Sequence, residues 1–355
     1  MFFGWSKMRF LIICLLVFST GVFADSKTNS SAIEHAPIGV MADHFHKKGE
    51  SMISLRYGSM KMDGNIFNGN SINTEQILAI PNPLGMMPAN LSVVPNSMDM
   101  SMVMLGGMYA PTDDITLMAM GMFMDKDMNL SSYKPMMGRD FLGKFTTSSS
   151  DLSDIAFGAL FKLKENDSGR WHAEVTLQKS LDKNELKDEV LTPMGMNMEM
   201  ILPYGMQISD DATRLVLGFT NVSNLNDNWI LGNQLRGKFV ISDKDWSFGD
   251  AIELNSWVQY EINSSVSLSS RIKLIDQDSI VGRNPMIMAP VQTANPKNYG
   301  GQEIQLGLGI NLLTSIFPGH ADRIGIEFVL PIEQDKDGLQ METDYQFILG
   351  YQKSF

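Results

Sequence analysis

Methionine and histidine carry most of the chemistry this sequence could perform. There are 28 methionines in 355 residues, and 14 of them fall between Met86 and Met137. Met98, Met100, Met102 and Met104 alternate along the chain, and so do Met118, Met120, Met122 and Met124. A thioether is a soft ligand that selects Cu(I) and similar ions. It is equally an adaptable apolar surface that fills irregular space, so the same rows could be a lining for apolar solutes. Met194, Met196, Met198 and Met200 repeat the spacing further along. Three of the five histidines, His35, His44 and His46, sit close together, with Asp43 between them and Met41 nearby. That group offers nitrogen, oxygen and sulfur donors to copper or zinc. Its other reading is a polar leader, or a plug hydrogen-bonded inside a larger structure.

Residues two apart share one face of a β-strand, so the methionine rows require strands to present them. Period-two runs occur near 51–62, 98–109, 114–125, 152–164, 169–179, 213–222, 228–242, 250–262, 264–276, 301–313, 322–333 and 343–355. The number of runs is even, as a single-chain bacterial barrel requires. The connections sort into two classes. Those at 110–113, 165–168, 223–227, 263 and 314–321 are short; those at 63–97, 126–151, 180–212, 243–249, 277–300 and 334–342 are longer. Short turns at one rim and long loops at the other are the asymmetry of outer-membrane barrels. The expectation is an all-β fold, a transmembrane, antiparallel, up-and-down barrel of about 12 strands over residues 51–355.

Parity then assigns the faces. Met52, Met60 and Met62 share a face with Ser54 and Arg56, opposite Ile53, Leu55 and Tyr57. Pairing 104 with 118 would place both methionine rows on one side, making an inner wall of twelve methionines with Met108 included. A one-residue slip would separate the rows. His172, Glu174, Gln234, Arg236, Lys238, Glu253, Arg271, Lys273, Arg323 and Glu327 also have lumenal parity. Such an interior is wet or tied by ion pairs.

The two ends of the chain agree with a barrel. Lys7 and Arg9 precede the apolar run Phe10–Phe18, and Val22-Phe23-Ala24 reads as a cleavage site, so residues 1–24 are expected to be a signal peptide. The only cysteine, Cys14, falls inside it and follows Ile13, where a lipoprotein site needs a small residue. Residues 25–50 would then be a periplasmic N-terminal segment or plug. Loss of residues 1–24 removes two bases and no acid, taking the net charge from −12 to −14 and arguing against nucleic acid as a partner. The mature chain has no apolar stretch long enough for a membrane helix. The last run, Tyr345 to Phe355, alternates like a transmembrane strand, and its terminal Phe resembles the C-terminal signal of bacterial outer-membrane barrels.

Two stretches resemble a known family: HAPIGVMADHFHKKGESMISLRYGSMKMDGN from His35, and SMDMSMVMLGGMYAPTDDITLMAMGMFMDKDMNL from Ser97. They look like bacterial outer-membrane barrels described as transporter-like or grouped with meta-pathway phenol-degradation outer-membrane proteins. The likeness is strongest over residues 35–164. The family pattern commonly has a histidine among the methionines of the second strand, where this chain has Ser101. The resemblance implies a Gram-negative outer-membrane barrel, with lipid, the barrel-assembly machinery and a small solute or metal ion as partners. It implies no particular substrate.

Three functions therefore stand as expectations. The first is a channel for a small, apolar or aromatic solute through a lumen bearing the methionines and Arg236, Lys238, Arg271 and Lys273. The second is a Cu(I)-handling barrel, with His35, Met41, Asp43, His44, His46, Met194, Met196, Met198 and Met200 as further candidate ligands. The third is a structural or adhesive barrel. No nucleophile–base–orienter spacing of the kind an enzyme needs and no phosphate-binding glycine loop is present, so no enzyme is expected.

Overall fold

The computed structural model describes residues 31–85, 87–135, 139–181, 185–314, 316 and 322–355. The expected signal peptide with its expected cleavage site near Ala24, residues 25–30, Met86, Met136, Met137 and most of the turn after Thr314 lie outside that range. Twelve long strands run in sequence: β1 Ser51–Phe67, β2 Val93–Tyr109, β3 Ile115–Tyr133, β4 Phe141–Asn166, β5 Gly169–Ser180, β6 Thr213–Asn226, β7 Trp229–Ser242, β8 Ala251–Asn263, β9 Val266–Gln277, β10 Gly301–Thr314, β11 Asp322–Lys336 and β12 Leu339–Ser354. Each pairs antiparallel with its neighbour, and β1 pairs with β12 from Met52↔Ser354 to Phe67↔Leu339. The sheet is thus a closed barrel with no free edge. Among the described residues no helix is long and apolar enough to cross a membrane.

The barrel follows from alternation. Ile53, Leu55, Val103, Leu105, Leu117, Phe123, Val175, Leu177, Leu268 and Ile272 are exposed on the outer face, while residues between them point inward. Outward aromatic pairs, Trp171–Phe219 at 5.2 Å and Trp229–Tyr260 at 4.8 Å, supply the amphipathic rings typical of a barrel girdle. At one rim the turns are tight. Asn263 and Val266 close a two-residue turn in which the Ser265 N–H donates to Asn263 Oδ1 at 2.9 Å, the side chain standing in for a backbone turn bond.

Two connections differ from the sequence expectation. Segment 126–151 is not a loop: β3 has 19 residues and β4 has 26, so they rise together as a hairpin with only 134–140 at its tip. Segment 334–342 shrinks to the turn Asp337-Gly338, where Gly338 takes φ +65°. A strand needs only about ten residues to cross the bilayer. Beyond it the outer face no longer has to be apolar, so the hydrophobic alternation stops while the backbone ladder continues.

The β2–β3 register also differs. Met104 pairs with Met122, Met102 with Met124, Met98 with Met128 and Met108 with Met118. The offset from the expected 104/118 pairing is four residues, and an even offset leaves both rows on the inner face. Its cause is the turn. Pro111 offers no N–H, and Thr112 Oγ1 accepts from the N–H groups of Asp114 and Ile115 at 3.3 and 3.1 Å. Those bonds stabilise a wider loop than the earlier pairing allowed.

Residues 31–50 lie within the barrel at the tight-turn end. Eight strands bond to this inner segment, β9 through Ser267, whose Oγ donates to the Ala32 carbonyl at 2.9 Å. Gln259 and Asn311 donate to the His35 carbonyl at 2.7 and 2.8 Å, Arg56 to that of Val40 at 3.2 Å, and Gln234 to that of Met41 at 2.8 Å. His172 Nε2 sits 2.8 Å from the Ala42 carbonyl, Thr116 accepts from the His46 N–H at 2.9 Å, and Glu327 accepts from the Gly39 N–H at 2.7 Å. Arg323 bonds the Ala36 carbonyl as well as Asn311 and Gln352. Apart from one 3-10 turn, Ala32–Glu34, the segment is irregular, and such a chain can be buried only if its backbone groups are satisfied; here inward-facing polar side chains do this.

The opposite end is partly roofed. Leu202, Tyr204, Met206, Trp246, Ile280, Ile287 and Val291, from three long loops, pack with Met98, Met128 and Met341 of the strands. Tyr204 and Trp246 meet edge to face at 4.7 Å.

Candidate functional site: the chamber and the inner segment

Between the inner segment and the roof is a cavity of about 550 Å³. Its wall on β1, β2 and β3 carries Met60, Met62, Met98, Met100, Met122, Met124 and Met128, and Met341 joins them from β12. The facing strands contribute Lys238, Glu253 and Lys273. One side of the chamber is therefore soft and apolar and the other is charged.

The methionines do not all face this space. Met52, Met104, Met118 and Met120, with Met108, border a gap of about 40 Å³ shared with Met41 and Asp43 of the inner segment. Met102 lies against Gly58, where an added Cβ would come 3.2 Å from its Cε. The wall is thus divided: its upper half looks into the chamber and its lower half packs on the inner segment. Cross-strand neighbours come from opposite strands, with Met60 facing Met100 and Met62 facing Met98 as well. Directly opposed residues sit about 5 Å apart, so these methionine pairs are neighbours, while Met100 opposes Lys126 and Met120 opposes Gly106 on the β2–β3 side.

The four expected lumenal cations also divide. Arg236 grips Glu174 with two bonds of 2.9 Å, and Arg271 Nε donates to Glu327 Oε1 at 2.7 Å. Neither borders the chamber. Lys238 and Lys273 do, and Lys273 Nζ is 3.1 Å from Glu253 Oε2.

The candidate metal ligands separate into three places. His35, Asp43 and His44 converge, with one donor atom from each lying within 4.8 Å of the others. His46 adjoins them, its ring 4.9 Å from that of His44. Met41 is turned away, its Sδ accepting from Arg56 Nη1 at 2.8 Å. Met194, Met196 and Met198 are exposed, and with Met200 they belong to the loop hairpin formed by Lys187–Leu191 and Asn197–Ile201.

Several contributors were not singled out from sequence. Met128 continues the parity of Met118 to Met124 and was visible in that pattern. Met341 reaches the chamber only because barrel closure brings β12 beside β1. Lys126 is buried, and its Nζ donates to the carbonyls of Gly205 and Gln207 at 3.0 and 2.7 Å, mooring the roof to β3. Asp210 ties two roof loops together by bonding Arg214 and the Phe248 N–H. Burial works against its carboxylate, but Arg214 together with the Phe248 and Ala212 N–H groups holds it below the usual carboxylate range.

Lys126→Met is expected to loosen the roof while leaving the barrel closed. Two buried carbonyls lose their donor, at about 1–3 kcal/mol each. Limited proteolysis should cut within 181–212 faster in the variant; an unchanged cleavage rate would show that Lys126 does not moor this loop.

No protein-family model matches the chain, and no curated protein matches it. Solved structures resemble it to differing degrees. An outer membrane channel from Pseudomonas putida F1 is 12% identical, with a TM-score of 0.55 over 90% of this chain and 100% of that one. The TodX monoaromatic hydrocarbon channel, as its deltaS2 mutant, is 10% identical, with a TM-score of 0.45 over 92% and 93%. A Pseudomonas aeruginosa FadL homologue is 11% identical, with a TM-score of 0.41 over 95% and 99%. At 12% identity, the first likeness establishes the closed barrel architecture.

Proposed function

We propose that the protein is an outer-membrane channel that takes up a small apolar or aromatic solute through its methionine-walled chamber. The observation that carries this reading is the chamber itself. A space of about 550 Å³ falls in the usual range for small-molecule sites, which combine apolar walls with a few placed polar groups. Methionine adapts its shape to varied solutes, while Lys238, Lys273 and Glu253 opposite could orient a polar substituent. Residues 31–50 act as a plug at the periplasmic end, and the roof faces the outside. The channel architecture shared with the Pseudomonas putida protein supports this reading.

The test separates apolar volume from sulfur. Converting Met60, Met62, Met98, Met100, Met122 and Met124 to Leu keeps the wall apolar, and uptake of an aromatic solute into proteoliposomes should persist. Converting the same six to Gln should reduce it by about tenfold or more, since burying an unpaired amide costs about 1–3 kcal/mol. Equal flux through both variants would remove the wall from the transport path.

The cross-strand adjacency of the thioethers favours a second reading, Cu(I) capture. An anaerobic Cu(I) titration of the folded barrel beside the six-Leu variant decides it. Stoichiometric binding lost with the sulfurs makes the wall a copper site; its absence from both leaves the methionines as lining.

A further inference from the structure

We propose that His35, Asp43 and His44, with His46 adjoining, form a binding site for a divalent transition ion of zinc or copper(II) chemistry. The site is inside the barrel, below the chamber, and does not depend on which solute passes above it.

The first support is convergence. His35 lies eight residues before Asp43, yet the segment folds back so that donors from His35, Asp43 and His44 come within 4.8 Å of one another. The fold-back is held at Asp43, whose Oδ2 accepts from the Ala36 N–H at 3.1 Å, while Oδ1 lies 3.1 Å from His44 Nδ1. One carboxylate oxygen is thus anchored by the backbone and the other aimed at the imidazoles, an outer contact of the kind that orients metal ligands.

The second support is independent of proximity. His35 Nδ1, His44 Nε2 and His46 Nε2 are buried without a hydrogen-bond partner, and His44 Nδ1 has only the Asp43 carboxylate at 3.1 Å. Buried polar side-chain atoms are nearly always paired, so three such nitrogens in one place are unusual. An ion bound at the converging donors would satisfy a nitrogen of His35 and one of His44 at once.

The donor set selects the ion. Imidazole nitrogens with one carboxylate suit Zn²⁺ and Cu²⁺. Ca²⁺ and Mg²⁺ want oxygen cages, and the site offers one carboxylate. Cu(I) wants sulfur, and the thioether closest in sequence, Met41, is engaged by Arg56. Zinc bonds of about 2.0–2.2 Å place tetrahedral ligands about 3.4 Å apart, so closure from 4.8 Å takes small side-chain rotations. The guanidiniums of Arg56 and Arg323 flank the segment and oppose a cation there. Their hydrogen bonds go to the Val40 and Ala36 carbonyls, Met41, Asn311 and Gln352, leaving Asp43 available to the ion.

The experiment uses the folded full-length barrel, stripped with a chelator and titrated with Co²⁺, then with Zn²⁺ in competition. The expected result is one equivalent of Co²⁺ with ligand-field absorption, displaced by Zn²⁺. Affinity should fall by about tenfold or more in His44→Gln and in His35→Gln, with barrel folding checked by heat-modifiable gel mobility. The triple variant Met194→Leu, Met196→Leu, Met198→Leu should bind as the unaltered protein does. Absence of a stoichiometric signal from the unaltered barrel, or unchanged affinity in both histidine variants, overturns the proposal. X-ray absorption of the Zn²⁺-loaded unaltered barrel needs no variant: a nitrogen and oxygen shell is expected, and a sulfur shell overturns the assignment.

Discussion

Replacing Gly325 and Gly350 together by leucine is expected to turn a barrel stopped from within into one that conducts. The two glycines face each other on β11 and β12. They leave the space that Ile38 of the inner segment fills, and Ile38 is only 1% exposed. A Cβ at Gly325 would lie 2.8 Å from Ile38 Cβ, and one at Gly350 would lie 2.5 Å from Ile38 Cδ1. The first contact is with an atom fixed to the backbone, so rotation of a side chain cannot relieve it. Ile38 must leave, which forfeits about 1.5–3 kcal/mol of burial and draws Gly39 away from Glu327. In planar bilayers the unaltered protein should open rarely, and the double variant should show long-lived openings. Equal records from the two would mean that residues 31–50 do not obstruct the lumen.

The largest stability effect is expected at Glu327. This side chain is fully buried, and Arg271 is 3% exposed. Glu327 Oε1 accepts from Arg271 Nε, Oε2 accepts from the Gly39 N–H, and Arg271 Nη1 donates to Asn255 at 2.7 Å. Glu327→Ala strands a buried guanidinium and removes the acceptor for Gly39. Breaking a buried pair from one side costs about 3–5 kcal/mol. The double variant Glu327→Leu, Arg271→Met should recover much of that loss, because neither charge is then stranded. Urea unfolding in lipid vesicles, followed by tryptophan fluorescence, checks the order. A single variant as stable as the double would remove the ion pair from the account.

The barrel was legible in the sequence wherever a strand crosses lipid, because one face must then be apolar and the other need not be. Ile53, Leu55 and Tyr57 against Met52, Ser54 and Arg56 show that contrast directly. Legibility stopped where lipid stops. From Asp125 to Asn129 β3 is mostly polar on both faces, and the tall hairpin it makes with β4 reads as a loop. The β2–β3 pairing was misplaced because turn width depends on what the Thr112 hydroxyl bonds, which hydrophobic period does not reveal. Within the site, parity placed the methionines inward but could not show that Met104, Met118 and Met120 meet the inner segment while Met60, Met100 and Met124 meet open space. That division depends on where residues 31–50 lie, and those residues have no periodicity to read. The approach of His35 to Asp43 and His44 is likewise a product of chain reversal rather than spacing.

The size of the chamber bears on how tightly the channel proposed above would need to hold a solute. One molecule confined to about 550 Å³ is present at a local concentration of about 3 M, by the arithmetic of effective concentration. A wall contact with only millimolar affinity would be saturated by that single molecule. Discrimination can therefore come from brief, shallow encounters with the thioethers, and departure stays fast, as throughput demands of any site that must be left as readily as entered.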